Sequence, residues 1–134
     1  MHRELAAATR IPGRTGQAAQ RVAALLHGHF YREEEFALPP LALLRPLAQG
    51  RVSPEMRDVL AMSDRLEVEL PRMLDEHKAI VAALDELERA AQANGHPEVV
   101  RFVEKLKLHA QMEEEIFYPA AILAGKFLKL QRAP

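Results

Sequence analysis

The sequence contains no cysteine and no tryptophan, and the first of these absences excludes disulfides, thiolate metal sites and thiol catalysis. Hydroxyl nucleophiles are nearly as scarce. Two serines, Ser53 and Ser63, and two threonines, Thr9 and Thr15, are present; neither serine sits in a Gly-x-Ser-x-Gly turn, so hydrolase chemistry of that kind has little to start from. An excess of charge of one sign is also missing. Eighteen Lys and Arg against 19 Asp and Glu leave a net charge of -1, so there is no large basic surface to neutralise phosphates, and nucleic acid is not expected as a partner. The uncharged stretch at residues 36–44 (FALPPLALL) carries two prolines and, like every other uncharged stretch in the sequence, falls well short of the roughly 20 residues that a membrane span needs. The first ten residues, MHRELAAATR, are charged and lack the apolar core of a secretion signal. The expectation is one domain covering residues 1–134, in the cytoplasm, with histidine and carboxylate left to carry any chemistry.

What is abundant is Ala and Leu, and β-branched runs are missing, which argues for an all-α protein. The breakers divide it. A short first helix is expected over 2–9, ended by Ile11-Pro12-Gly13-Arg14-Thr15-Gly16. A second runs from Gln17 to about Leu38 and stops or kinks at Pro39-Pro40. A short apolar segment covers 41–48, and Gln49-Gly50 breaks it. Ser53-Pro54-Glu55 reads as a helix start, with Ser as N-cap and Pro at the first position. The long helix that follows reaches Asn94-Gly95, with an interruption at Pro71; the next runs from His96-Pro97-Glu98 to about Tyr118, and a last short one covers 120–130. The architecture expected is an up-down helical bundle with antiparallel neighbours.

An internal repeat runs at an offset of 80 residues. His29-Phe30-Tyr31-Arg32-Glu33-Glu34-Glu35-Phe36-Ala37-Leu38-Pro39 aligns with His109-Ala110-Gln111-Met112-Glu113-Glu114-Glu115-Ile116-Phe117-Tyr118-Pro119, with His, three Glu and Pro in register. A merely solvated helix face has no need of His and Pro at the same ten-residue separation, so the repeat suggests two halves of one site.

Helix faces sharpen this. Residues three and four apart share a face. Val22, Leu26, His29, Glu33 and Phe36 form one stripe; Leu66, Leu70, Met73, His77, Ile80, Leu84 and Leu87 a second; Phe102, Leu106, His109, Glu113 and Ile116 a third. Each stripe carries a mid-helix His, and two carry a Glu one turn later. A lone His on an apolar face is usually a satisfied core residue, and a Glu run is usually solvated. Two buried ionised Glu in one core, however, cost several kcal/mol each unless paired or metal-bound, and no Lys or Arg lies on the stripes at that level. A metal held by imidazole and carboxylate is the compensation nearest at hand, and such a mixed set suits iron, with Mn or Zn behind it. His27 lies about 200° around the helix from His29 and is expected in solvent. His96 reads as a helix-boundary residue, and Glu34, Glu35, Glu114 and Glu115 read mainly as outward groups or as partners that support the ligands from behind.

These residues resemble the hemerythrin-like (HHE cation-binding) domains. His29 with Glu33, Glu76-His77-Lys78-x-Ile80, and His109 with Glu113 match three of that family's elements, and the Glu pairs followed by Pro also look like it; the resemblance covers about residues 17–125. It implies a four-helix bundle holding non-haem iron, usually two ions, with Glu33 and Glu113 bridging and His29, His77 and His109 anchoring them. Met73 stands where hemerythrin proper has a second third-helix His. The first-helix ligand the family expects would be His2, although reflection about a turn near Gly13 leaves it ~7.5 Å from the level of His29. Two Glu and three neutral His balance one divalent ion, and two ions would leave a charge of about +2 to be offset by hydroxide, oxo or another carboxylate.

The resemblance implies binding or sensing of O2, NO or redox state, or iron handling. A non-enzymatic role is favoured. A diiron oxidase or peroxidase-type activity is the enzymatic alternative, although no Glu-x-x-His occurs in the chain. A helical interaction module with a relic or weak Zn site is the structural one, with a homodimer through the short first helix. Phe30, Met73, Met112, Ile116 and Phe117 are expected to wall the site against water.

Overall fold

The computed structural model describes residues 2–132 and is an all-α helical bundle with four long helices and no strand among the described residues. The elements are α1 (His2–Thr9), α2 (Arg14–Arg32), α3 (Leu44–Ala48), α4 (Arg57–Asn94), α5 (Pro97–Met112) and α6 (Tyr118–Arg132). Two five-residue π-turns, Glu33–Ala37 and Glu113–Phe117, follow α2 and α5, and short 3-10 turns occupy Pro39–Leu43 and Pro54–Met56. The chain divides into two compact units, residues 2–29 with 74–111, and residues 30–73 with 112–132.

In the first unit the core is made by Leu5 and Ala8 of α1, Ala19, Val22 and Leu26 of α2, Ile80, Leu84 and Leu87 of α4, and Val99, Phe102, Val103 and Leu106 of α5, all buried. Of these, Val22 and Leu26, Ile80, Leu84 and Leu87, and Phe102 and Leu106 are stripe residues read from the three- and four-residue spacing. The start of α2 differs from expectation, since it begins at Arg14 and takes in Thr15 and Gly16. Gly16 is there for space rather than for a break. A Cβ at this position would lie 1.7 Å from the Ile11 carbonyl oxygen, so the link from α1 crosses directly over the first turn of α2. Thr15 is fully buried and accepts a hydrogen bond from Asn94 Nδ2 at 2.9 Å, which ties that turn to the end of α4.

In the second unit Phe36, Ala37, Leu66, Met73, Tyr118 and Ala121 form one buried cluster, and Leu43, Leu47, Met56, Leu60, Ala124 and Leu128 another. Ser63 of α4 donates to the Ala121 carbonyl of α6 at 2.9 Å, and a Cβ on Gly125 would lie 2.1 Å from Ser63 Oγ, so α6 meets α4 closely because position 125 has no side chain. Pro71 does not interrupt α4, which is continuous over 38 residues. Proline removes one N–H bond, and both Pro71 and Glu67, whose carbonyl loses that bond, are exposed to water. Pro119 does not break the helix either. It falls in the first turn of α6, where its missing N–H is tolerated. Ser53 is extended and precedes a 3-10 turn, but its side chain makes no cap hydrogen bond.

Candidate metal centre

Helix α2 is regular as far as Arg32, so Glu33 follows His29 by one α-turn and faces the same way. Beyond it the helix widens. The Leu38 N–H donates to the Glu33 carbonyl at 2.9 Å, five residues back, and the Tyr118 N–H does the same to the Glu113 carbonyl. Each wide turn opens on a stripe Glu and closes on the residue before a proline. A proline ring clashes with the carbonyl four residues behind it, here that of Glu35 or Glu115, and widening the turn moves that carbonyl aside. Single-turn π-bulges of this kind occur often at functional sites.

His29, Glu33, His77 and Glu113 are all buried, at 2%, 2%, 2% and 3% exposure, which is where the stripes require them. His29 Nδ1 lies 3.0 Å from Glu76 Oε1. An ionised carboxylate only accepts, so in this contact His29 donates from Nδ1, and in a neutral imidazole Nε2 is then the nitrogen with the lone pair. That Nε2 lies 2.9 Å from Nε2 of His77, with ring centroids 4.6 Å apart. The Glu76 carboxylate is therefore placed to favour the tautomer that a metal-ligating imidazole needs. On the acidic side, the Tyr118 hydroxyl donates to Glu33 Oε2 at 2.9 Å and reaches Glu113 Oε1 at 3.5 Å. Burial of the Tyr118 ring, then the charges of Glu33 and Glu113, then its hydrogen bonds to them, hold the phenol far above its ordinary pKa, so it is a donor at all working pH values.

One donor atom from each of His29, Glu33, His77 and Glu113 lies within 4.8 Å of the other three. The donor set of two imidazole nitrogens and two carboxylate oxygens matches a divalent transition metal in both charge and ligand type. The residues present therefore fit a metal ion, with Glu76 and Tyr118 as the groups that orient the donors.

The sequence-derived candidates divide. His29, Glu33, His77 and Glu113 are brought together. His109, one turn before Glu113 on α5, is half-buried and lies outside that group; His2 is exposed on α1 and also lies outside it. His27, Glu34, Glu35, Glu114 and Glu115 are exposed as expected. The wall of apolar residues is only partly present: Met73 is fully buried, whereas Met112 and Ile116 are 38% and 53% exposed. The π-turn alone does not account for Ile116, since Phe36 holds the same place in the other wide turn and is buried; after Glu113–Phe117 the helix goes on as α6 with Tyr118 on the buried side. Sequence reasoning missed Tyr118 and gave Glu76 no role. The signals were present, a Tyr five residues beyond Glu113 and a Glu directly before His77, but an α-helical spacing rule discards the first.

An all-α bundle with a buried His and Glu group that can hold a metal defines a class, and comparison with known families narrows it. The family model of the hemerythrin HHE cation-binding domain matches residues 1–121, and the chain belongs to that family. Comparison with curated proteins and with solved structures gives no significant match.

Proposed function

We propose that this chain is a single hemerythrin-like domain that binds non-haem iron and uses it to bind or sense O2, NO or redox state, or to handle iron. The observation that carries the reading is the buried convergence of His29, Glu33, His77 and Glu113 within 4.8 Å. The family is a cation-binding one, and a mixed set of imidazole and carboxylate donors suits iron ahead of Mn or Zn. Those four residues are the ligands we assign, with His109 as the further ligand that a second ion would call on and His2 as the remaining candidate. Two carboxylates and two neutral imidazoles balance one divalent charge. When bound, iron would supply redox chemistry and coordination positions open to a diatomic ligand.

The protein's own part is to bind, orient and enclose. Glu76 accepts from His29 Nδ1 and so orients the ring, Tyr118 donates to the Glu33 carboxylate, and Phe36, Leu66 and Met73 form dry surface in the buried cluster that holds Tyr118. None of the described helices is long and apolar enough to cross a membrane, and a cytoplasmic location belongs to the same proposal. The test is metal analysis of protein purified without added metal, expected to give about one equivalent of iron or more; less than about one tenth overturns the reading. Absorption bands that appear with O2 and vanish on degassing assign a carrier or sensor, and steady O2 or peroxide consumption with a reductant assigns the oxidase or peroxidase alternative.

A further inference from the structure

Basic side chains of the first unit fall into two sets. Lys105 pairs with Glu4 at 3.2 Å and Lys107 with Asp85. Arg14 and Arg21 of α2 and Arg89 of α4 make no ion pair or side-chain hydrogen bond, although Glu86 lines the same groove with them. That groove, between α2 and α4, encloses about 770 Å³, within the range of about 300–1,000 Å³ for small-molecule sites. The Thr15–Asn94 and His29–His77 contacts run the two helices antiparallel. Arg14 and Arg21 lie two turns apart on one face of α2, about 10.5 Å along its axis, and Arg89, five residues before Asn94, enters between their levels. Three guanidinium groups thus approach one space from both of its walls.

Three cations against one carboxylate leave the groove at net +2 in a chain whose total is -1. Gathering like charges costs free energy, and an anion seated among them recovers it. A carboxylate engages one guanidinium fork in its own plane, whereas a phosphoryl group presents three oxygens to donors on different sides. Guanidinium suits that geometry better than ammonium does. We propose that this groove binds a phosphorylated small molecule, with its phosphoryl groups on Arg14, Arg21 and Arg89 and its organic part over Ala18 and Ala90, where short side chains leave room. None of the lining residues belongs to the metal-capable group, so this site stands or falls apart from the metal centre.

The experiment is isothermal titration of the chain with ADP and with inorganic pyrophosphate at low ionic strength, where exposed charges act most strongly. The expected Kd is about 0.1 mM or tighter for at least one probe. Arg21→Gln and Arg89→Gln should each weaken it by about tenfold, and Glu86→Gln, which removes the opposing carboxylate, should tighten it by about threefold. Arg45→Gln, at an exposed position of α3 in the second unit, should leave it unchanged. All four positions are exposed, so helix content by circular dichroism and metal content should match wild type in every variant. Equal affinity for the two probes supports recognition of the phosphoryl groups alone, and tighter binding of ADP supports a nucleotide. Affinity weaker than about 1 mM for both probes overturns the proposal. Binding that survives both Arg21→Gln and Arg89→Gln overturns it too, because the anion then sits elsewhere, as on a bound metal.

Discussion

The two π-turns are copies in sequence and differ in what they do. Glu33–Ala37 and Glu113–Phe117 both begin on a buried Glu, both close through an N–H five residues on, and both precede a proline. After the first, the chain turns into the 3-10 segment Pro39–Leu43, and Phe36 and Ala37 are the buried residues. After the second, the helix carries on as α6, Ile116 is 53% exposed, and the residue brought to the buried side is Tyr118. The position that is Tyr118 in one copy is half-buried Leu38 in the other. The buried Glu is thus what the copies share, and the hydroxyl that hydrogen-bonds to it belongs to one of them. A repeated helix can keep the same buried carboxylate in each half while only one half supplies its hydrogen-bond donor.

The largest expected effect breaks the shared part. Glu33→Ala and Glu113→Ala should each lower metal affinity by more than about a hundredfold, beyond the range typical of outer-shell partners. His77→Ala should do likewise, and His27→Ala, on an exposed position of α2, should leave metal content unchanged. Elemental analysis and competitive titration read the outcome. Loss in all four variants alike would contradict the assignment of faces, and retention in Glu113→Ala alone would mean that the second copy is a relic.

Next comes the part where the copies differ in packing. Phe36 is 1% exposed and Ile116 is 53% exposed although both stand three residues after their Glu. Phe36→Ala should therefore cost about 3–5 kcal/mol in chemical unfolding, and Ile116→Ala no more than about 0.5 kcal/mol. Comparable costs would show that Ile116 is covered in solution.

This pair also shows how far the sequence could be read. His29, Glu33, His77 and Glu113 were legible because each lies where an α-helical stripe demands an apolar residue, and the cost of burying a charge makes such exceptions conspicuous. Phe36 was legible on the same rule. Ile116 stands as far from its Glu as Phe36 does and is exposed all the same, so there the rule fails; Tyr118 was hidden because five residues along an α-helix is about 500°, or 140° off the starting face, and only the wide turn brings residue 118 back to Glu113. The continuity of α4 through Pro71 was hidden for a different reason. The cost of a missing hydrogen bond depends on whether water reaches the orphaned carbonyl, and exposure is a property of the fold.

A smaller effect isolates the hydroxyl. The Tyr118 pKa is raised in the folded chain, chiefly by burial and then by Glu33 and Glu113. The unfolded chain therefore loses this proton first as pH rises. Stability from this group is fully present below the unfolded value of about 10 and declines above it, by about 1.4 kcal/mol per pH unit. Urea midpoints of metal-free protein between about pH 9 and 11 should fall more steeply for wild type than for Tyr118→Phe. Parallel slopes would place the phenol in water. Leu38 has no proton to lose, so the alkaline limb belongs to the second copy alone.

The smallest effect concerns what surrounds the first copy. Arg65 pairs with Glu35 at 3.0 Å and places its guanidinium 4.5 Å from the Phe36 ring centroid. Both charged side chains are about half exposed, 48% and 40%, so solvent screens the ion pair and the median worth of such contacts is under about 1 kcal/mol. The ring contact adds about 0.5–1 kcal/mol at an exposed site. Arg65→Ala should therefore lower stability by about 1 kcal/mol or less, mostly insensitive to salt, because the aliphatic stem and the ring contribute packing that ions do not screen. If 0.5 M NaCl abolishes the difference between wild type and Arg65→Ala, the ion pair rather than the ring is what holds Arg65 over Phe36.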